Sequence, residues 1–193
     1  MIKLEIKQQV AWVSLARPEK QNALSFAMFV ELSNVIKKIK RDRSLRAVVI
    51  SGEGEHFCSG LDVAAVMKKP SNIIKLLFKW LPGNQNLAQK VVLGWQDLSI
   101  PVIAKVTGHC FGGGMQIALG ADYRIVDKNA KLAIMEARWG LCPDMGANVV
   151  LAGLMKRDQA LWLASHAGPI SAEDAKEYGC LLYTSPSPRD RQK

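Results

Sequence analysis

A chain of 193 residues, 49% hydrophobic, is long enough for one globular domain with a buried core. Its most apolar stretch, residues 73–81, is interrupted by Lys75 and Lys79, so it falls short of the roughly 18 uninterrupted apolar residues a bilayer span requires. The net charge of +9 is partly local, because Lys37, Lys38, Lys40, Arg41, Arg43 and Arg46 crowd one segment. That segment reads either as a solvated face or as an attractor for a polyanion such as a nucleic acid or a phosphate-rich ligand.

Taken in chain order, residues 2–7 and 10–15 alternate apolar and polar around Gln8-Gln9 and predict a hairpin. The start lacks the apolar block of a signal peptide, and a cytoplasmic location is expected. Residues 17–22 form a loop, after which Ser25 caps a helix whose apolar face is Phe26, Phe29, Val30, Ile36 and Ile39. Residues 47–50 are a short buried strand, and the glycines of residues 51–60 make that segment irregular. Residues 69–98 carry large apolar side chains at helical spacing, broken at Pro82-Gly83 into two helices. Strands follow at 101–106, 123–126 and 132–135, with a helix at 113–119. Ser171, with Asp174 three positions on, opens a helix that ends near Gly179. The order of strands and helices implies an α/β layered fold. Residues 181–193 have no apolar period and contain two X-Pro bonds; they are set apart from the domain at 1–180 as a disordered, foreign-looking tail.

Cys58, Cys110, Cys142 and Cys180 lie far apart without metal-ligand spacing and read as reduced packing residues. Gly112-Gly113-Gly114 is more telling, because it ends the apolar run 101–111 and leads directly into Met115-Gln116-Ile117-Ala118-Leu119. A strand that turns through three glycines into a helix presents bare N–H groups at the positive end of that helix. The turn suits a phosphate, an oxygen that becomes anionic during reaction, or simply close packing of helix on sheet.

Two further segments join it: His56-Phe57-Cys58-Ser59-Gly60-Leu61-Asp62, and Met135-Glu136-Ala137-Arg138-Trp139-Gly140-Leu141-Cys142-Pro143-Asp144-Met145-Gly146. With Arg17-Pro18-Glu19-Lys20 and Asn22-Ala23-Leu24, these resemble in order and spacing the crotonase superfamily, the enoyl-CoA hydratase/isomerase family, over residues 1–180. The resemblance implies a crotonase-like (ClpP/crotonase) spiral of ββα units, here without the family's C-terminal helical region, and a homotrimer or dimer of trimers at full length. It implies an acyl-CoA thioester substrate whose carbonyl oxygen sits between the N–H groups of Leu61 and Gly113 as an enolate forms. Ala23, Leu24, Ser59, Gly60, Asp62, Gly112 and Gln116 would line the substrate, and Lys20, Lys68 or Lys69 would meet CoA phosphates. Coenzyme A enters as part of the substrate; no metal or redox cofactor is implied.

Of the family's two acidic positions, the first holds Gln116, which cannot exchange a proton at neutral pH, and the second holds Glu136. A glutamate closing an apolar strand is partly desolvated and suited to proton transfer, or else it is a surface group paired with Arg138. Asp144, eight positions on, matches the carboxylate of dienoyl-CoA isomerases and the nucleophile of related dehalogenases, or caps a helix starting near Gly146. Double-bond isomerisation of an enoyl- or dienoyl-CoA is the expected reaction. The alternatives are enoyl-CoA hydration in fatty-acid β-oxidation, an inactive truncated chain, and an RNA-binding family member using residues 37–46. His56 and His109 read as packed and hydrogen-bonded. Leu77, Phe78, Trp80 and Trp95 read as core or as borders of the acyl tunnel, and the Leu61 side chain as pocket wall or core.

Overall fold

The N-terminal alternation folds into the expected hairpin, β1 (Ile2–Lys7) antiparallel to β2 (Val10–Leu15), in a computed structural model that describes residues 1–79, 81, 83–181 and 183–185. Gln8 and Gln9 turn it at φ of 50° and 61°, the left-handed pair that a two-residue hairpin loop requires. The Ser25 side chain accepts from Met28 N–H and starts α1 (Phe26–Arg41). Its buried stripe is Met28, Phe29, Leu32, Ile36 and Ile39. Val30, expected on that stripe, is exposed, because it stands one residue, or about 100°, away from Phe29. Lys37, Lys38, Lys40, Arg41, Arg43 and Arg46 are all exposed, with Lys38, Lys40 and Arg41 in the last helical turn, where cations suit the helix dipole.

β3 (Ala47–Gly52) lies parallel to β2. Three short helices follow: α2 (Val63–Met67), which the periodicity does not reveal, then α3 (Pro70–Leu77) and α4 (Leu87–Leu93). The chain then alternates between two sheets. β4 (Val102–Val106) joins the large sheet and β5 (His109–Phe111) the small one, and α5 (Gly113–Leu119) returns the chain. β6 (Tyr123–Asp127) and β7 (Lys131–Ala133) repeat the step, leading through a 3-10 turn at Glu136–Trp139 to α6 (Ala147–Leu154) and α7 (Arg157–His166). A third pass is β8 (Ile170–Ser171), α8 (Ala172–Glu177) and β9 (Tyr183–Ser185). The large sheet has the order β1-β2-β3-β4-β6-β9, parallel from β2 onward, and the small one β5-β7-β8. This winding is the expected spiral of strand, strand and helix.

Two expectations about the end of the chain change. Leu181 is buried, and Tyr183–Ser185 pairs in parallel with Ile125, Val126 and Asp127, so the folded unit continues past residue 180. Edge pairing uses main-chain groups and needs no apolar period, which is why side-chain patterning misses it. Trp80, Pro82, Leu182 and residues 186–193 lie outside the described residues. Among the described residues no helix is long and apolar enough to cross a membrane.

The core lies between the inner face of the large sheet and the helices. Register places Val13, Ile50, Ala104 and Arg124 across neighbouring strands, and all four are buried. Arg124 forms no ion pair among the described residues, although Asp122 is near enough to favour its charge. Its guanidinium donates to the carbonyls of Cys180 (2.6 Å), Ala121 (2.5 Å) and Leu119 (3.3 Å), joining the last turn of α5 to the segment leading into β9. Burial disfavours its charge, and carbonyls at a helix C-terminus offset that cost. Arg124→Met is expected to destabilise the fold by about 2 kcal/mol through unsatisfied carbonyls, read as a lower urea midpoint; an unchanged midpoint would show that those carbonyls find other donors.

Candidate active site

Three loops distant in sequence meet at the turn before α5. Leu24 N–H donates to Gly60 O (2.8 Å) and Asp62 N–H to Leu24 O (3.0 Å), a parallel bridge that uses the residues flanking Leu61. In such a bridge the N–H of Leu61 itself lies on the opposite edge of its strand. That edge faces β5: Cys58 N–H donates to His109 O (3.0 Å) and Phe111 N–H to Cys58 O (2.9 Å). Gly60, at φ 101°, packs so closely that a Cβ there would lie 3.1 Å from Phe111 O and 3.8 Å from Gly112 Cα. Gly112 N–H goes to Ala133 O (2.8 Å), whereas Gly113, the first residue of α5, has no intrahelical acceptor. Among the described residues neither Leu61 N–H nor Gly113 N–H donates to a protein group. The structure therefore brings together Gly60 and Gly112, the residues that precede these two amides, and leaves both amides without a protein acceptor among the described residues.

Buried polar groups set the loop positions. Asn22, fully buried, accepts from Arg17 N–H (2.8 Å) and donates to the carbonyls of Glu53 (2.9 Å) and His56 (2.8 Å). Arg17 pairs with Asp62 at 2.8 Å and donates to Ala23 O at 3.0 Å. Asp62 also accepts from Ala65 N–H and so caps α2. Its carboxylate is thereby committed within the protein. Ser59 N–H donates to Gln21 O, and Leu24 is buried with a methyl 3.2 Å from where a Gly113 Cβ would stand. The Arg17–Asp62 clamp is the feature that sequence reading misses; charges 45 residues apart carry no pairing signal of their own.

Glu136 opens the 3-10 turn beyond β7 rather than closing the strand, and it is half-buried. Its Oε1 accepts from Gln116 Nε2 at 2.6 Å and lies 3.7 Å from the position of a Gly112 Cβ. Its Oε2 is buried without a hydrogen-bond partner among the described residues. Arg138 is exposed and forms no ion pair with Glu136 among the described residues, which removes the surface-pair reading. Gln116 is fully buried, and its Oε1 accepts from Ala147 N–H at 3.3 Å. Met145 Sδ lies 3.1 Å from the Gly113 Cβ position, so residues 143–146 cover the glycine turn. Asp144 in that loop is exposed and does not cap α6, whose N-cap is Gly146; its carbonyl accepts from Gln89 Nε2.

The remaining candidates separate cleanly. His56 and His109 stack with centroids 4.1 Å apart, and His56 Nδ1 accepts from His109 N–H at 3.1 Å. Burial, and then the neighbouring His56, disfavours the charged form of His109. Burial pushes the Cys58 thiol up to about 12, and Cys110 is likewise raised, so neither is a nucleophile. Cys142 is exposed, contrary to a packing role. Trp95 is core, whereas Leu77, Phe78 and the Leu61 side chain are exposed. Lys20, Lys68 and Lys69 are exposed as point charges require. An open groove of about 730 Å³ on the outer hairpin face, beside Glu5, Val10 and Trp12, contains none of these groups.

Two outcomes test the scaffold. A Cβ at Gly114 would lie 2.5 Å from Cys58 Cβ and 2.8 Å from Cys58 O; Gly114→Ala is expected to lower Tm by at least about 3 °C, and an unchanged Tm would mean the loop yields freely. The Asp62 carboxyl is held below its usual range by Ala65 N–H first and the Arg17 guanidinium second, with burial opposing both. Its stabilisation is complete above the unfolded-state value of about 4 and is lost as pH falls through the lower folded value. Urea midpoints near neutrality and at about pH 3 are therefore expected to differ less for Asp62→Asn than for wild type; equal differences would remove Asp62 from the acid response.

Comparison with known proteins agrees with this geometry. The Enoyl-CoA hydratase/isomerase family pattern matches residues 5–188. An (E)-benzylidenesuccinyl-CoA hydratase of Thauera aromatica is 30% identical over 93% of this chain and 68% of its own length. A 1,2-epoxyphenylacetyl-CoA isomerase of Escherichia coli is 30% identical over 91% of this chain and 66% of its own. The chain thus spans about two thirds of the length of these curated relatives. Among solved structures, an enoyl-CoA hydratase of Bacillus anthracis matches with a TM-score of 0.83 at 28% identity, covering 96% of this chain and 70% of that one. With the crotonase fold and the sequence pattern in agreement, the chain belongs to the enoyl-CoA hydratase/isomerase family.

Proposed function

We propose that this protein moves a double bond along the acyl chain of an enoyl- or dienoyl-CoA, holding the thioester oxygen between Leu61 N–H and Gly113 N–H and transferring the proton through Glu136. The observation that carries the reading is one carboxylate with a buried, unpartnered oxygen beside two uncommitted amides. Loss of a proton next to the thioester pushes charge onto the carbonyl oxygen. Fixed N–H donors stabilise that charge without reorganising, and one such donor is typically worth about a hundredfold or more in rate. Glu136 Oε2 takes the proton from one carbon and returns it to the carbon two bonds away. The balance is neutral: one C–H bond breaks, one forms, and the double bond shifts between them.

Asp144 takes second place, because its carboxylate is exposed while Oε2 of Glu136 is buried. Hydration is the second reading, supported by the hydratase among the relatives. Against it stands Gln116, an amide where the family resemblance calls for a second acid. A homotrimer is our reading of the assembly, supported by the exposure of Trp139, Leu141, Val149 and Leu161 on neighbouring segments.

A panel of enoyl- and dienoyl-CoA esters, followed by absorbance and product mass, tests the choice of reaction. Isomerisation leaves mass unchanged, and hydration adds one water. Glu136→Gln is expected to lower kcat by at least about a hundredfold while butyryl-CoA still binds, and Asp144→Asn by less than about tenfold. Full turnover in Glu136→Gln would remove Glu136 from the mechanism.

A further inference from the structure

We infer that Gln116 is a positioning residue that confines proton transfer to a single oxygen, Oε2 of Glu136; this rests on the reading of Glu136 as proton carrier. Ala147, the first residue of α6, is fully buried together with its main-chain N–H. A main-chain N–H only donates, so the group of Gln116 facing it at 3.3 Å must be the amide oxygen. That fixes which way the amide points and turns its NH2 toward Glu136 Oε1 at 2.6 Å. An NH2 group only donates in its turn, so Oε1 is held as an acceptor, and a proton on it is disfavoured because a hydroxyl oxygen accepts less strongly than a carbonyl or carboxylate oxygen. Within this contact the oxygen of Glu136 favoured to carry a proton is Oε2, which is buried and has no hydrogen-bond partner among the described residues.

A second consequence follows from the chemistry of residue 116. An amide stays neutral at every working pH, so the hold on Glu136 does not titrate. A glutamate at the same position, while protonated, can accept from Ala147 N–H and donate to Glu136 Oε1 and so reproduces the native contact. Once it ionises, two carboxylates at hydrogen-bond distance repel, and the pair loses its protons in two coupled steps. Other ionisable groups on the surrounding elements are Cys58, Lys90 on α4, His109 and Cys110 on β5, Lys131 on β7, Arg138 in the 3-10 turn, Asp144 before α6, and Arg157, Asp158 and His166 on α7. None of these makes a hydrogen bond or ion pair with Gln116 or Glu136 among the described residues. They are common to all variants and cancel in the comparison.

The test uses the full chain with the β,γ-hexenoyl thioester of coenzyme A, followed by the absorbance of the conjugated product, and with butyryl-CoA binding as the control. Gln116→Leu is expected to lower kcat by about tenfold or more with KM changed by less than about threefold, because the donors that hold the thioester are main-chain groups. Gln116→Glu is expected to regain kcat at acidic pH and lose it as pH rises, an alkaline fall that wild type lacks, while circular dichroism shows it folded throughout. Wild-type kcat in Gln116→Leu, or a wild-type pH profile in Gln116→Glu, would overturn the inference. If Gln116→Leu does not fold, the pH comparison within Gln116→Glu decides alone. Unimpaired Glu136→Gln would instead overturn the reading of Glu136; a dead Glu136→Gln beside a Gln116→Leu of full activity would sink only the role of Gln116.

Discussion

Main-chain hydrogen bonds between three loops, each stopping one residue short of the site, are the constraint on which the rest depends. Leu24 bonds to Gly60 and Asp62 and so passes over Leu61; β5 bonds to Cys58, and Ala133 takes the N–H of Gly112 and leaves Gly113. A buried amide without a partner costs on the order of 1–3 kcal/mol. Gly113 is buried, so a fold that leaves its N–H without a protein acceptor requires the surrounding ladder to hold it there. Two glycines permit the approach: the Cα atoms of Gly60 and Gly112 stand where side chains would otherwise separate the strands, and both residues take positive φ. Asn22 and the Arg17–Asp62 pair then carry the loop positions outward to the hairpin and to α2.

Chemistry enters from the other side of the same turn. α5 presents Gln116 one helical turn beyond Gly112, whose carbonyl accepts the Gln116 N–H at 3.0 Å. The backbone that aims the Gly113 amide therefore also sets the root of the side chain that holds Glu136. Small displacements of α5 are transmitted to both, and Met145 and Leu24 pack against Gly113 to oppose them. Arg124 ties the far end of α5 to the segment leading into β9, so the helix is anchored at both ends although it has only seven residues.

Much of this was legible because glycine and proton-carrying residues are scarce and their roles narrow. Gly112-Gly113-Gly114 after an apolar strand marks the turn into α5, whereas Ser59-Gly60-Leu61 is singled out only by the family resemblance. The hairpin and α1 followed from period and capping. What escaped was set by contacts rather than by pattern. β5 and β8 contribute three and two residues, too few for alternation to register. α2 is a five-residue helix made by the Asp62 cap, and β9 pairs through main-chain groups that any side chain would allow. Val30 was misplaced because hydrophobicity alone does not resolve one residue of helical phase. Cys142 and Leu77 read as interior by composition, yet they stand on exposed segments.

The same limit explains why Gln116 reads from sequence as a loss and from structure as a component. Counted by residue type, an amide in place of an acid subtracts one proton carrier. Placed between Ala147 N–H and Glu136, it supplies one acceptor and one donor whose directions cannot be exchanged. Two carboxylates in that contact would have to share a proton and would leave open which oxygen carries it. The amide removes that ambiguity without introducing charge. On our proposal, a site whose carboxylate is held through one oxygen and keeps the other unpartnered lends itself to returning a proton along the acyl chain, whereas adding water across a double bond demands a second group to orient the water. On the same proposal, the choice between these reactions thus turns on a neutral side chain that itself never exchanges a proton.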